Sequence, residues 1–244
     1  MSLSITSAVT GGLRRVANRN GLVLAVALVG VGAVWQVLFY SAVATAVAPS
    51  GAAAQAGSLP AVEVPLAVSV GGAVAGIVGL QYVTVVAMRT FVGGRSRTIP
   101  SEYYRRNVPF VVGNAVVGAF IYGLVVFVGS LLLVVPGIVA YVAFSFTLLY
   151  IATEDQNVIT ALRSSWNTTR GHWLRLFVLL AIVFGISLTQ GVASVLARAV
   201  FTAVSGPALG QLASGVVVLP FTLVLVAILA DAFVQLRDPR PSAG

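Results

Sequence analysis

Few side chains in this sequence could carry out a reaction. Its 244 residues hold six carboxylates, one histidine and no cysteine, and all fourteen basic residues are arginine. Without cysteine there is no disulfide, thiolate metal site or thiol nucleophile. A single histidine, His172, excludes a multi-histidine metal cluster. Glu154 and Asp155 are adjacent, so on a helix they point about 100° apart and do not make a shared acid–base pair. Helix capping is the expected role for both. Asp155 would accept from the free amides of the helix that follows, and both would suit the positive end of its dipole. His172 borders Trp173, where an aromatic-belt position is a plainer reading than a proton relay. Asn167-Thr168-Thr169 has the pattern of a glycosylation sequon, discounted because the arginines around it place the segment on the cytoplasmic side.

Asp231 is the most unusual residue. It lies in the run LVAILADAFVQLR, about 9 Å of helix rise inside Arg237. An ionisable group within an apolar run is costly unless it is paired or faces water, which makes it a functional candidate by default. Two readings stand. One is a structural ion pair with Arg89 or Arg175, which should lie at similar depth; the other is a polar site on a transport path. The shallow depth favours the ion pair.

The elements that must position these residues are set by composition. The chain is 59% hydrophobic and 8% charged, with a mean hydropathy of +1.02. A soluble domain carries roughly a quarter charged residues, so the solvent for most of this chain must be lipid. Six transmembrane spans are expected near 21–47, 66–92, 108–133, 138–152, 173–197 and 209–235. The fourth is shorter than the roughly 20 residues that cross a bilayer core, and Pro136-Gly137 marks the turn before it. A kinked span plus a re-entrant piece over 108–152 would leave five crossings. The charges decide between them. With six crossings every arginine except Arg198 falls on one side, the positive-inside pattern; with five the later arginines fall outside. The first apolar run, from Gly21, is longer than a signal-peptide core and is expected to be retained. The +8 formal charge therefore reads as topology, with no nucleic-acid partner implied.

The fold expected is an all-α, polytopic membrane helical bundle with an interfacial amphipathic helix. Residues 1–20 form a cytoplasmic amphipathic segment, 21–235 the six-span domain, and 236–244 a cytoplasmic tail. Residues 48–65, rich in glycine and alanine, read as a flexible outer loop. Basic segments precede the first, third and fifth spans, as positive flanks or as a true duplication. Gly71, Gly72 and Gly76 give the second span a small-residue face, for close packing or, more boldly, a conduction path.

The interfacial helix is expected over 156–170. Val158, Leu162, Trp166 and Thr169 fall on one side, and Gln156, Thr160, Arg163, Asn167 and Arg170 on the other, with Gly171 ending it. Arg163, Trp166, Arg170, His172 and Trp173 would then meet lipid headgroups.

The stretch from Leu131 to Leu176 also carries a Leu-Leu-Val-Val-Pro-Gly turn, a Glu-Asp pair, Ala-Leu-Arg-Ser-Ser-Trp and Thr-Arg-Gly-His-Trp, with Gln-Leu-Arg-Asp-Pro at 235–239. In these motifs the chain resembles the glycerophosphoryl diester phosphodiesterase membrane-domain family and related six-span proteins, in particular a haloarchaeal-type branch. The resemblance implies a non-catalytic membrane domain. The family's phosphodiesterase chemistry belongs to a separate soluble barrel, which this sequence is expected to lack.

The leading expectation is thus a non-enzymatic, cofactor-free scaffold or partner-binding subunit in the plasma membrane. Its partners would be membrane lipids and either a membrane protein or a second copy of the chain. No P-loop, dinucleotide fingerprint or nucleophile–base set argues otherwise. A small transporter or channel component is the alternative, supported by Gln36, Gln81, Asn114, Gln190 and Asp231 within the spans, with Pro220 as the one hint of a broken helix. A lipid-modifying enzyme is weaker, since no catalytic pair faces one site.

Both termini are predicted to be cytoplasmic. In this cysteine-free chain, Ser2→Cys and Ser242→Cys should resist a membrane-impermeant thiol reagent in intact cells, while Gln55→Cys reacts. The reverse labelling pattern would overturn the topology.

Overall fold

The computed structural model describes residues 3–48, 59–132 and 134–237. Most of the loop expected over 48–65 lies outside the described residues. So does the expected tail from 238 onward; Leu236 and Arg237 belong to the last helix. The described residues are all-α, as expected. In chain order the helices are α1 (Ile5–Val16), α2 (Arg19–Val47), α3 (Leu66–Val92), α4 (Ser101–Arg105) and α5 (Val108–Leu132). They continue with α6 (Val134–Ala143), α7 (Thr147–Glu154), α8 (Val158–Thr169), α9 (Trp173–Ser205) and α10 (Pro207–Arg237).

Six stretches are long and apolar enough to cross a membrane: α2, α3, α5, α6 with α7, α9 and α10. Their apolar residues are not confined to one stripe. Phe120, Leu131, Leu174 and Val204 are all more than 70% exposed. Helices apolar all round are stable only where their outer faces also meet an apolar medium.

Helix ends follow local chemistry. Asn18 caps α2, its Oδ1 accepting from the Gly21 amide at 3.0 Å. Asn157 caps α8, accepting from the Thr160 amide at 2.9 Å. Between α9 and α10 stands Gly206, at φ 90°, followed by Pro207 as the first residue of α10. That order uses each residue where its backbone fits: glycine in the left-handed position past one helix, proline at the start of the next. α10 then continues as helix through Pro220.

The fourth span departs from expectation. It covers Val135–Glu154, 20 residues, enough to cross. Pro136-Gly137, expected as the turn before it, lie inside the first turns of α6, and a further break, not expected, falls at Phe144–Phe146 between α6 and α7. Proline in a first turn sacrifices no helical bond, which is why the helix accommodates it. Gly137 serves another purpose: its Cα lies against α5, where a methyl on Gly129 would come within 3.0 Å of it. At the break, α8 supplies the missing partners. The Ser165 hydroxyl donates to the Ala143 carbonyl at 2.8 Å and accepts from the Phe146 amide at 3.2 Å; the Thr169 hydroxyl donates to the same carbonyl at 3.2 Å. Ser165, Thr169 and Phe146 are fully buried.

The chain divides into two compact units. The first comprises residues 1–23, 84–185 and 223–244. Its core includes Phe91, Phe146, Ile151, Leu176 and Phe233. Phe233 meets the rings of Phe146 and Tyr150 edge-on at 5.6 and 4.9 Å. The second comprises residues 24–83 and 186–222 and packs through small residues. A methyl on Gly76 would stand 2.6 Å from Trp35 Cδ1, and one on Gly72 2.6 Å from Leu38 Cδ1. Gly72 and Gly76 are thus filled by α2, which is the packing role; Gly71 faces open space. Gly215 leaves room for the buried amide of Gln36 in the same way. A cavity of about 560 Å³ between α2, α9 and α10 in this unit has an apolar lining that includes Val34, Val37, Phe201 and Leu212.

Loss of the hydroxyl at the break should be costly. Ser165→Ala is expected to lower stability by about 1–3 kcal/mol, because it strips the Phe146 amide of its partner in a buried site. Thr160→Ala, on the exposed side of α8, should change little. Thermal melts of the two purified variants compare them directly.

Candidate functional site

The polar residues of the first unit concentrate in two clusters, each centred on an arginine. Arg89, in the last turn of α3, is 3% exposed. Its Nε donates to the Ala152 carbonyl at 2.6 Å. Nη1 donates to the carbonyls of Tyr103 and Arg106, both at 2.9 Å, and Nη2 to Asp155 Oδ1 at 2.9 Å. One side chain thereby ties the end of α3 to α4, to the residue after α4 and to the end of α7. A buried guanidinium is tolerable only when its donors are answered in this way.

Asp155 stands at φ 53°, in the left-handed conformation that ends α7. Its second partner is Arg106, whose Nε lies 3.1 Å from Oδ2. Arg106 also donates to the Thr153 carbonyl at 2.9 Å and reaches Glu102 at 3.3 Å. Glu154 pairs with Arg237 at 2.7 Å and accepts from the Gln156 amide at 2.9 Å.

The capping expectation for Glu154 and Asp155 is therefore corrected. They sit at the C-terminal end of α7, not at the start of α8, whose cap is Asn157. Acids at that end oppose the helix dipole. Arg89, Arg106 and Arg237 offset this, and two of them also bond the free carbonyls of α7.

The second cluster surrounds Asp231. Arg15 donates to its Oδ1 through Nη2 at 2.7 Å and Nε at 3.0 Å, and through Nη1 to the carbonyl of Phe91. Oδ2 accepts from the Gln235 amide at 2.8 Å, and Gln235 in turn accepts from the Ser4 amide at 3.0 Å. Room for the pair comes from glycine. A methyl on Gly11 would lie 2.6 Å from Asp231 Oδ1, and one on Gly12 2.7 Å from the Ile228 backbone, so α1 lies flat against α10. Asp231 is thus ion-paired, but with neither expected partner. Arg89 is committed to Asp155, and Arg175 is exposed and makes no ion pair among the described residues.

The remaining sequence-selected residues gather on and after α8, which spans 158–169, not 156–170. Its buried face is Val158, Ala161, Ser165 and Thr169. Trp166 is 36% exposed, with its ring 6.0 Å from Phe144 and 5.3 Å from Trp173. Arg163 and Arg170 are exposed. His172 is partly buried, and its Nδ1 has no hydrogen-bond partner among the described residues. Asn114, considered as a transport residue, instead accepts from the Val158 amide and donates to Phe110.

Sequence reasoning missed Arg15, Arg106 and Arg237 as ion-pair partners and Ser165 as the bridge at the break. The Gly11-Gly12 pair, four residues before Arg15, was the available signal that α1 packs against another helix. Among the described residues no three histidine or acidic side chains could hold a metal ion. Arginine stays protonated, so each cluster holds a fixed positive charge beside its carboxylates.

Removing one partner of a buried pair exposes the other. Arg89→Gln is expected to cost about 3–5 kcal/mol, whereas Arg175→Gln on the exposed surface should stay within about 0.5 kcal/mol. Equal melting temperatures for the two variants would contradict the role given to Arg89.

Comparison with known proteins gives one family. Neither the curated proteins nor the solved structures hold a significant match to this chain. The family model described as "Domain of unknown function (DUF7847)" matches residues 3–236, which takes in Arg89, Asp155, Arg15 and Asp231 and all six apolar stretches except the last residue of the sixth. The chain belongs to the DUF7847 family.

Proposed function

We propose that the protein is a non-catalytic scaffold or partner-binding subunit of the plasma membrane, with both termini in the cytoplasm. One observation carries the reading. Asp231, the one carboxylate well inside a span among the described residues, has both oxygens engaged by Arg15 and Gln235. A carboxylate so occupied braces α1 against α10, its charge answered by Arg15. The arginine distribution supports the orientation. The resemblance of residues 131–176 to the membrane domain of the phosphodiesterase family supports a role without chemistry of its own, and with arginine-only usage it favours an archaeal source. Lipids and a membrane partner, or a second copy, are the partners this reading implies.

A transporter is the second reading, favoured by the broken fourth span, since transport sites often use interrupted helices. Here the freed carbonyl at the break is already taken by Ser165 and Thr169.

The two readings separate at Asp231→Asn. Under the scaffold reading this variant leaves Arg15 without its counter-charge and melts lower, by about 2–4 °C for each kcal/mol lost. Proteoliposomes of the parent should then show no proton flux above protein-free vesicles. A variant as stable as the parent, together with parental flux that the substitution abolishes, would make Asp231 a transport residue.

A further inference from the structure

The outer side of α8 does not end in a smooth surface. Phe144, at the break of the fourth span, joins Ile159, Leu162 and Trp166 around a cavity of about 450 Å³, with Arg163 and Asn167 completing its wall. The Trp166 ring meets that of Trp173 edge-on. Trp173 lines a second cavity of about 250 Å³ with Leu174, Phe177 and Val142. Two apolar hollows thus lie on either side of one tryptophan pair, and a cation stands at the first.

That cation has no counter-charge. The acids of this unit among the described residues, Glu102, Glu154, Asp155 and Asp231, are all committed to Arg15, Arg89, Arg106 and Arg237. Arg163 is exposed and pairs with none of them, and neither does Arg170, seven residues on. The site therefore asks for an occupant that is negative at one end and apolar along the rest. Asn167 adds a neutral donor for a second oxygen of that negative group.

We propose that this corner binds one two-chain anionic phospholipid. One chain lies in the Phe144–Trp166 cavity, and the other runs along the Trp173 cavity beyond the tryptophan pair. The phosphate sits on Arg163 and Asn167. Tryptophan suits such a wall, being apolar in its ring and polar at its edge. This deepens the scaffold reading by naming a ligand for the helix that plugs the broken span.

The test uses the full chain in detergent with Trp35→Phe, which leaves Trp166 and Trp173 as the only fluorophores of their kind. Phospholipids with brominated chains quench tryptophan on contact. A brominated anionic phospholipid should quench saturably, with a midpoint about tenfold below that of its zwitterionic counterpart, the ratio one charge-assisted hydrogen bond supports. Arg163→Gln should remove the difference, and Ile159→Phe should weaken quenching by both lipids by filling the hollow. Both residues are exposed, so each variant should keep the parent's melting temperature. Inorganic phosphate at millimolar concentration should leave the midpoint unchanged. Equal midpoints for the two headgroups, or an Arg163→Gln variant that folds and still discriminates, would overturn the proposal. Displacement by phosphate alone would assign the site to a free anion and overturn the placement of the chains. Absence of quenching would leave α8 to a protein partner and reject the lipid, without touching the scaffold reading, which fails only on parental ion flux.

Discussion

A guanidinium withdrawn from water has five N–H donors to satisfy, and Arg89 engages four of them with one carboxylate and three backbone carbonyls. The demand fixes geometry well beyond the residue itself. The end of α7 must arrive with the Ala152 carbonyl and Asp155 at the guanidinium, and α4 and the residue after it must present one carbonyl each. Asp155 takes the left-handed conformation to do so, and Asn107, immediately after the carbonyl of Arg106, does the same at φ 52°. Both are residue types that visit this region more readily than most. Arg89 itself is buried, so a missing partner there would leave a donor unanswered at a cost.

The same constraint explains the break in the fourth span. Between Ala143 and Thr147 the helical ladder is interrupted, and an orphaned carbonyl in an apolar surrounding costs several kcal/mol. α8 covers it with two hydroxyls spaced one helical turn apart, Ser165 and Thr169. The helix is thus anchored by its small polar residues, while its larger apolar ones, Ile159, Leu162 and Trp166, turn away from the core towards the surface cavity. That inversion of the usual amphipathic order marks a helix whose outer side is not facing water alone.

How much of this was legible in the sequence depends on the kind of signal. Six apolar runs separated by arginines identify the helices, because length and hydropathy act residue by residue along one element. The apolar side of α8 reads as its membrane-facing side, and nothing in the sequence signals that hydrogen-bond demand from the broken span would bury Ala161 and Ser165. Glu154 and Asp155 look like the start of a helix, since acids favour that end. Only the tertiary placement of Arg89, Arg106 and Arg237 makes the opposite end tolerable. Asp231 stood out as a charge needing a partner, but which of the arginines reaches it depends on α1 lying flat against α10. The Gly11-Gly12 pair permits that contact without specifying it.

The arginines therefore form two populations with different physical roles. Arg15, Arg89, Arg106 and Arg237 neutralise the acids of the first unit and bond the carbonyls at helix ends, so their charges are spent within the protein. Arg14, Arg19, Arg95, Arg97, Arg105 and Arg163 make no ion pair among the described residues and stand at or near the surface. Only the second group can be felt by a membrane potential or an anionic headgroup, because an ion pair is close to neutral beyond a Debye length. Because Glu102, Glu154, Asp155 and Asp231 are each paired within the first unit, none of these four is free to cancel them. On the proposed reading, the positive bias that would orient the spans and the attraction for an anionic lipid at α8 draw on the same unpaired arginines. A substitution that freed Asp155 or Glu154 from its partner would weaken both at once, even though neither acid touches lipid.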